Sequence, residues 1–269
     1  MSLFQLNEAQ YSYPDGTRAV EGIDLAVEPG RFYGIVGPNG SGKSTLLDLL
    51  LGYKEPSSGR VLFRDIPLSS WRRRDLAREI ALVPQEFALT FPFSVEEIVF
   101  MGRYPHIPRF GSPGPEDREV VRRIMERIGI APYRDRSITE LSGGEKQRAV
   151  VARALAQETN VLLLDEATSS LDVKHGLQLM HLVRQRQAWH GATVVSVFHD
   201  LNQALRFCDE LVFLKQGRLI RCGPVAEVAT EEILEHVFEV RAKSYMETSL
   251  GCLQAVFWTE GAENLGADA

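Results

Sequence analysis

Apolar residues in this chain concentrate in short segments at positions 32–36, 59–63, 80–83, 161–164, 193–197 and 211–214. Several of these runs are too short and too continuous for an amphipathic helix, and they read as mostly buried strands, the later ones parallel. Between the third and fourth runs the period changes. Residues 95–101, 116–128 and 145–157 carry apolar side chains at helical spacing, which predicts an α-helical insertion over about residues 86–158 of an α/β chain. Pro105, Pro108, Pro113 and Pro115 interrupt that insertion, because each would remove a backbone donor and clash with the preceding turn of a helix. Residues 104–115 are therefore expected to form a surface loop and a candidate contact. Beyond Arg241 the apolar residues at 250–258 give way to a Gly-, Ala- and Asp-containing end, 261–269, expected to fray.

Length and charge narrow the field. A chain of 269 residues can bury a full core without staples, as one large domain or two modest ones, and one α/β domain with a lobe is the simpler expectation. A formal charge of −6 lacks the basic footprint of a nucleic-acid binder. The one dense basic run, Arg72-Arg73-Arg74, reads as a solvated helix face. Cys208, Cys222 and Cys252 are odd in number and widely spaced, which fits a reducing compartment and neither a disulfide framework nor a zinc site. The first residues lack the basic and apolar regions of a leader, and no stretch approaches the roughly 20 apolar residues that cross a bilayer. A soluble chain is expected, one that borrows any membrane role from partners.

Candidate chemistry begins directly after the run at 32–36. Gly37, Pro38, Asn39, Gly40, Ser41, Gly42, Lys43, Ser44 and Thr45 fit G-x-x-x-x-G-K-[ST], with a leucine-rich helix predicted to follow. The glycines let successive backbone N–H groups face a phosphate, and the helix adds its positive N-terminal end. In such a loop Lys43 reaches the β- and γ-phosphates and Ser44 holds Mg²⁺, so the substrate class is a nucleoside triphosphate.

A second element of the same chemistry lies at the end of the run at 161–164. Asp165 and Glu166 follow it as adjacent carboxylates. Asp165 is placed to bind Mg²⁺ through its water shell and Glu166 to polarise the attacking water. Read alone, this pair would be a helix cap after a core strand. Between the two sites Leu141, Ser142, Gly143, Gly144 and Glu145 form a Ser/Gly turn at a predicted helix N-terminus, a further anion site.

With L-S-G-G-E in place, the chain resembles the nucleotide-binding subunits of ATP-binding cassette (ABC) transporters over roughly residues 3–240, with the motifs in the family's order. The resemblance implies an α/β phosphate-loop NTPase (RecA-like) core with an N-terminal antiparallel β subdomain and an inserted α-helical subdomain. Residues 1–240 would form the nucleotide-binding domain and 241–269 a C-terminal extension. It further implies that Tyr13, with Tyr11 as the alternative, stacks on adenine, a contact worth about 1–3 kcal/mol in other systems. Gln85 resembles the glutamine that touches Mg²⁺, and His199 the histidine that contacts the γ-phosphate. Ser170 and Asp172 resemble the loop that crosses to a partner subunit. Ala167 and Phe198 depart from the family, where proline and Ser or Thr are common, and neither change removes a catalytic atom.

The same resemblance implies partners. Leu141 to Glu145 of one copy would complete the ATP site of a second, so a homodimer is expected, together with two transmembrane permease subunits and, indirectly, a substrate-binding protein. No nucleic acid is expected, and the place of work would be the cytoplasmic face of the inner membrane, reached through the permease. Segments 99–106 (V-F-M-G-R-Y-P-H) and 199–209 are similar to the ATPases of metal-chelate importers, for ferric siderophores, haem or cobalamin. Importers of molybdate, zinc or manganese are the alternative cargo class. A soluble ABC ATPase of DNA repair or translation is the alternative of another kind, and the missing coiled-coil insertion and single cassette weigh against it.

Overall fold

The computed structural model describes residues 2–85, 87, 91–169 and 171–259, with the backbone alone at Trp189. Ser170, the expected fraying end and residue 86, where the helical insertion is expected to begin, lie outside the described residues. In chain order the elements are β1 (Phe4–Ser12), β2 (Arg18–Val27), β3 (Phe32–Val36), α1 (Lys43–Leu50), β4 (Ser58–Phe63), β5 (Ile66–Pro67), α2 (Arg73–Glu79), β6 (Ile80–Val83), α3 (Val95–Phe100), α4 (Pro115–Ile128) and α5 (Gly143–Ala156). They continue with β7 (Val161–Asp165), α6 (Val173–His190), β8 (Thr193–Val197), α7 (Leu201–Phe207), β9 (Glu210–Lys215), β10 (Arg218–Pro224), α8 (Val225–Val228), α9 (Glu231–Phe238), β11 (Arg241–Glu247) and β12 (Cys252–Trp258).

The chain divides into two units, one holding the residues up to Ser69 together with those from Val197 onward, the other spanning Ser70–Ser196. In the first unit β2, β1, β4 and β5 lie side by side, every pair antiparallel. The rings of Phe4 and Phe63 meet across β1 and β4 with centroids 4.9 Å apart. The fully buried β3 pairs in parallel with β9, and β9 runs antiparallel to β10. Parallel pairing around a strand with no exposed position explains why residues 32–36 are apolar without alternation. α1 buries Leu46, Leu47, Leu49 and Leu50, each contributing about 2 kcal/mol of transfer free energy. The unit ends in a β11–β12 hairpin that contacts α7 and α9.

In the second unit β6 pairs in parallel with β7, and β8 lies beside β7. α3, α4 and α5 pack on one another as the helical insertion. Ser94 and Ser142 start α3 and α5 with reciprocal caps to Glu97 and Glu145, satisfying backbone donors that the first turn leaves open. Pro115 occupies the first turn of α4, where its missing N–H costs nothing, so the 104–115 segment stops at a helix start.

Arg74 departs from the solvated run expected of Arg72-Arg73-Arg74. Arg72 and Arg73 are exposed, whereas Arg74 is half-buried and donates to the carbonyls of Pro105, at 3.1 Å, and Ile107. Among the described residues no helix is long and apolar enough to cross a membrane.

Candidate active site

In the first unit the chain leaves β3 at Val36 and wraps into α1 through residues 37–42. A Cβ at Gly37 would lie 2.1 Å from the Leu214 carbonyl oxygen, and one at Gly42 2.1 Å from that of Ala19. Gly42 also sits at φ 96° as the N-cap of α1, so both positions exclude side chains for reasons of backbone contact. Lys43, the first helical residue, is buried, and its Nζ donates to the carbonyl oxygens of Gly37 and Pro38, each at 2.9 Å. Ser41 is also buried, and its Oγ has no hydrogen-bond partner. An ammonium folded onto loop carbonyls beside an unpartnered hydroxyl is a set of donors suited to an anion. Asn39 and Gly40 form the exposed tip, and Ser44 is exposed on the first turn of α1.

Tyr13 and Thr45 are brought together, the phenol and hydroxyl oxygens 3.0 Å apart. Tyr13 is 36% exposed, and Tyr11 meets it edge-on with centroids 5.2 Å apart. Lys54 Nζ stands 5.5 Å from the Tyr13 ring and 5.8 Å from that of Tyr11, while its charge is held by Asp48 at 2.5 Å. Lys54 was not among the sequence candidates, since a lysine a dozen residues past the loop carries no local mark.

His199 is exposed at the turn between β8 and α7. The residue before it is fixed, with Phe198 N donating to Ile35 O at 3.0 Å and the Phe198 ring buried 6.3 Å from that of Phe32. The family departure at Phe198 is thus a core contact.

In the second unit β7 delivers Asp165 and Glu166 at its end, both half-buried. Gln85, just beyond β6, donates from Nε2 to Glu166 Oε2 at 2.8 Å. Glu166 has φ 46°, a left-handed backbone that L side chains seldom adopt. The next residue, Ala167, is buried, and its carbonyl accepts from Gln147 Nε2 at 3.0 Å. Gln147 went unread in the sequence. The signal was there: it shares an inner helical face with Val150 and Val151, and a polar side chain in a core position needs a partner.

The Ser/Gly turn at residues 141–145 opens α5. Ser142 Oγ donates to Glu145 Oε2 at 2.7 Å, and the Ser142 N–H donates to the same oxygen at 2.8 Å. The Ser142 side chain, followed by its backbone N–H, pulls the Glu145 carboxyl down to about 2. Leu141 is buried, whereas Ser142 and Gly143 are exposed. A Cβ at Gly143 would meet nothing within 4 Å, and one at Gly144 only Leu171 Cδ2 at 3.6 Å. This chain's own packing does not demand either glycine. Asp172 caps α6, accepting from His175 N at 2.9 Å, and this bond followed by that from the His175 ring holds its carboxyl below the usual range.

The run M-G-R-Y-P-H serves packing. Arg103 is 5% exposed and donates to Ala156 O at 2.8 Å, Asp117 Oδ1 at 2.9 Å and Glu158 Oε2 at 2.9 Å. His106 Nε2 lies 2.8 Å from Gln157 O. These groups latch the 101–107 segment onto the C-terminal end of α5.

A family profile described as ABC transporter matches residues 20–169. The chain belongs to the ABC transporter family. It is 40% identical over 88% of its length to the cobalamin import ATP-binding protein BtuD of Halobacterium salinarum, and spans 59% of that relative. It is 42% identical to the hemin import ATP-binding protein HmuV of Bradyrhizobium diazoefficiens, over 84% of each chain. With the ferric enterobactin transport ATP-binding protein FepC of Escherichia coli it shares 38% identity over 82% of each chain. Among solved structures, an ABC transporter described as of metal-chelate type, in an inward-facing conformation, superposes with a TM-score of 0.81 at 28% identity, over 96% of this chain and 97% of that one. A dimeric ATP-binding cassette bound to ADP and Pi superposes with a TM-score of 0.75 at 29% identity, over 82% of this chain and 98% of that one. This ABC transporter chain therefore has the phosphate-loop NTPase core implied by its sequence.

Proposed function

We propose that this chain is the ATP-hydrolysing subunit that energises a membrane importer of metal chelates, its cargo a ferric siderophore, haem or cobalamin. The observation that carries the ATPase reading is the glycine cradle, in which the Lys43 ammonium rests on two carbonyls and the Ser41 hydroxyl has no partner. A bound triphosphate would draw Lys43 off the carbonyls and give Ser41 an acceptor. Tyr13 takes the adenine, Glu166 is the general base and His199 senses the γ-phosphate.

The donors Ser44, Gln85 and Asp165 supply hard oxygens, and the Gln85 amide nitrogen is already spent on Glu166, which leaves its oxygen for a cation. That set fits Mg²⁺, which binds through few protein oxygens and the phosphates themselves. When bound, the ion neutralises charge on the β- and γ-phosphoryl oxygens.

Two copies work together. The openness of the turn at Ser142, Gly143 and Gly144 supports a role toward the nucleotide of a second copy, with Ser170 and Asp172 in the crossing loop. The solved ATP-binding cassette that is dimeric and bound to ADP and Pi supports a two-copy assembly. The permease is met through the 710 Å³ groove lined by Arg73, Arg74, Tyr104, Ile107 and Arg109, beside the exposed Phe110. That contact holds the chain at the cytoplasmic face of the membrane. Residues 1–240 form the cassette and 241–269 its extension.

The test is affinity capture of tagged Glu166→Gln chain, loaded with ATP, from detergent-solubilised membranes, with mass spectrometry of the co-purifying proteins. A polytopic permease and a chelate-binding protein are expected. Soluble partners alone would overturn the importer reading.

A further inference from the structure

His199 is strung between two anchors. On its N-terminal side Phe198 is tied to Ile35 and Phe32; on its C-terminal side comes α7, only seven residues long and so unable to hold itself by helix hydrogen bonds alone. Asp200 caps that helix, accepting from Asn202 N at 2.9 Å. The Asn202 side chain then leaves the helix and binds a strand. Its Nδ2 donates to Ala255 O at 3.1 Å, and its Oδ1 accepts from Ala255 N at 2.8 Å.

Both backbone groups of Ala255 are thus turned away from β11. In an antiparallel pair a residue points both groups at its partner or both away, so Ser244–Ala255 is a non-hydrogen-bonded pair and Asn202 closes the outer edge of β12 there. Ala255 is 4% exposed. The hairpin is secured independently at α9, where the rings of Phe238 and Phe257 meet at 5.5 Å and Ala242 N donates to Glu235 Oε1 at 3.2 Å. A rail fixed at α9 therefore grips the first turn of α7, three residues beyond His199.

We propose that Asn202 is a positioning residue for His199, with the β12 backbone at Ala255 as its fixed support. The hairpin is then part of the catalytic apparatus and not a passive extension. This rests on the ATPase reading above. Nothing in the sequence marks it, because the two partners stand 53 residues apart.

The test compares the full-length wild type with Asn202→Ala, Ala255→Pro, the double variant and His199→Ala, in steady-state ATP turnover and in amide exchange over residues 198–207. Ala255→Pro removes the donor to Asn202 and puts the proline ring where that N–H pointed, displacing the amide while sparing the hydrogen bonds of the hairpin ladder, since that edge is outside it. Asn202→Ala and Ala255→Pro are each expected to lower kcat about tenfold with KM for ATP within about twofold, the signature of a misplaced group and not of lost binding. The double variant is expected to match the singles, as one shared interaction requires. Amides 198–207 exchange faster in both singles and not in His199→Ala. A kcat unchanged in folded Asn202→Ala and Ala255→Pro, with His199→Ala inactive, overturns the positioning role and leaves the ATPase reading intact. A wild type without turnover overturns both.

Discussion

Gln85 Nε2 holds Glu166 Oε2 at 2.8 Å, so one carboxylate oxygen of the proposed general base is engaged by the chain itself. The bond orients the other oxygen. In Glu166→Gln the orientation survives and the basicity does not, so ATP affinity is expected to stay while turnover falls by about 10²-fold or more. Phosphate release beside a nucleotide-binding titration checks this, and near wild-type turnover would mean that Glu166 is not the base.

Lys43 fastens the loop proposed to hold the phosphates, because its ammonium spans the Gly37 and Pro38 carbonyls. Lys43→Ala is expected to weaken ATP binding about a hundredfold, the scale of one charge-assisted hydrogen bond. Amides 37–42 should also exchange faster in the nucleotide-free variant. Undiminished affinity in a fluorescent-nucleotide titration would remove the phosphate-loop assignment.

Gly102 lies directly against α5. A Cβ there would stand 2.1 Å from the Arg153 carbonyl oxygen, a backbone atom that cannot step aside. Gly102→Ala is expected to destabilise the chain by about 3 kcal/mol. Gly143→Ala, in open space on the first turn of α5, should leave stability unchanged or slightly raised. Urea midpoints of the two variants test the contrast, and any turnover lost in a stable Gly143→Ala arises at the nucleotide and not in the fold.

Glu145 carries a pH signature. Its folded pKa, about 2, lies below the ordinary carboxylate value of 4.5, so its contribution is complete above the unfolded pKa and is lost as pH falls toward the folded one. The stability gap between wild type and Glu145→Gln is expected to narrow as pH drops from about 5.5 to about 3. A gap constant across that range in urea titrations would show that the Ser142 bonds do not favour the carboxylate.

The glycine-rich loop was legible because its chemistry is local: glycines, lysine and serine at fixed spacing after an apolar strand. Apolar runs located β3, β7 and β9 for the same reason, full burial leaving no regular polar alternation. β1 and β2 entered only through the family resemblance, since register shifts between Leu6, Ala9, Tyr11 and Ser12 break the two-residue period. The C-terminal hairpin was seen only as a mixed apolar tail; its strands keep the exposed residues Tyr245, Met246 and Val256 apolar, which erases the inside–outside contrast. Arg74, Arg103 and His106 were read as surface or branch marks, and it takes three-dimensional contact with distant carbonyls to show that they fasten loops.

The left-handed backbone at Glu166 separates durability from work. A β-carbon at φ 46° costs about 1 kcal/mol that glycine would not incur, which offsets the lost Gln85 bond, so Glu166→Gly is expected to keep the melting temperature near that of the wild type while abolishing turnover. Selection of this chain for heat resistance alone would leave that position free to lose its carboxylate, and a screen for hardier variants must score hydrolysis alongside survival.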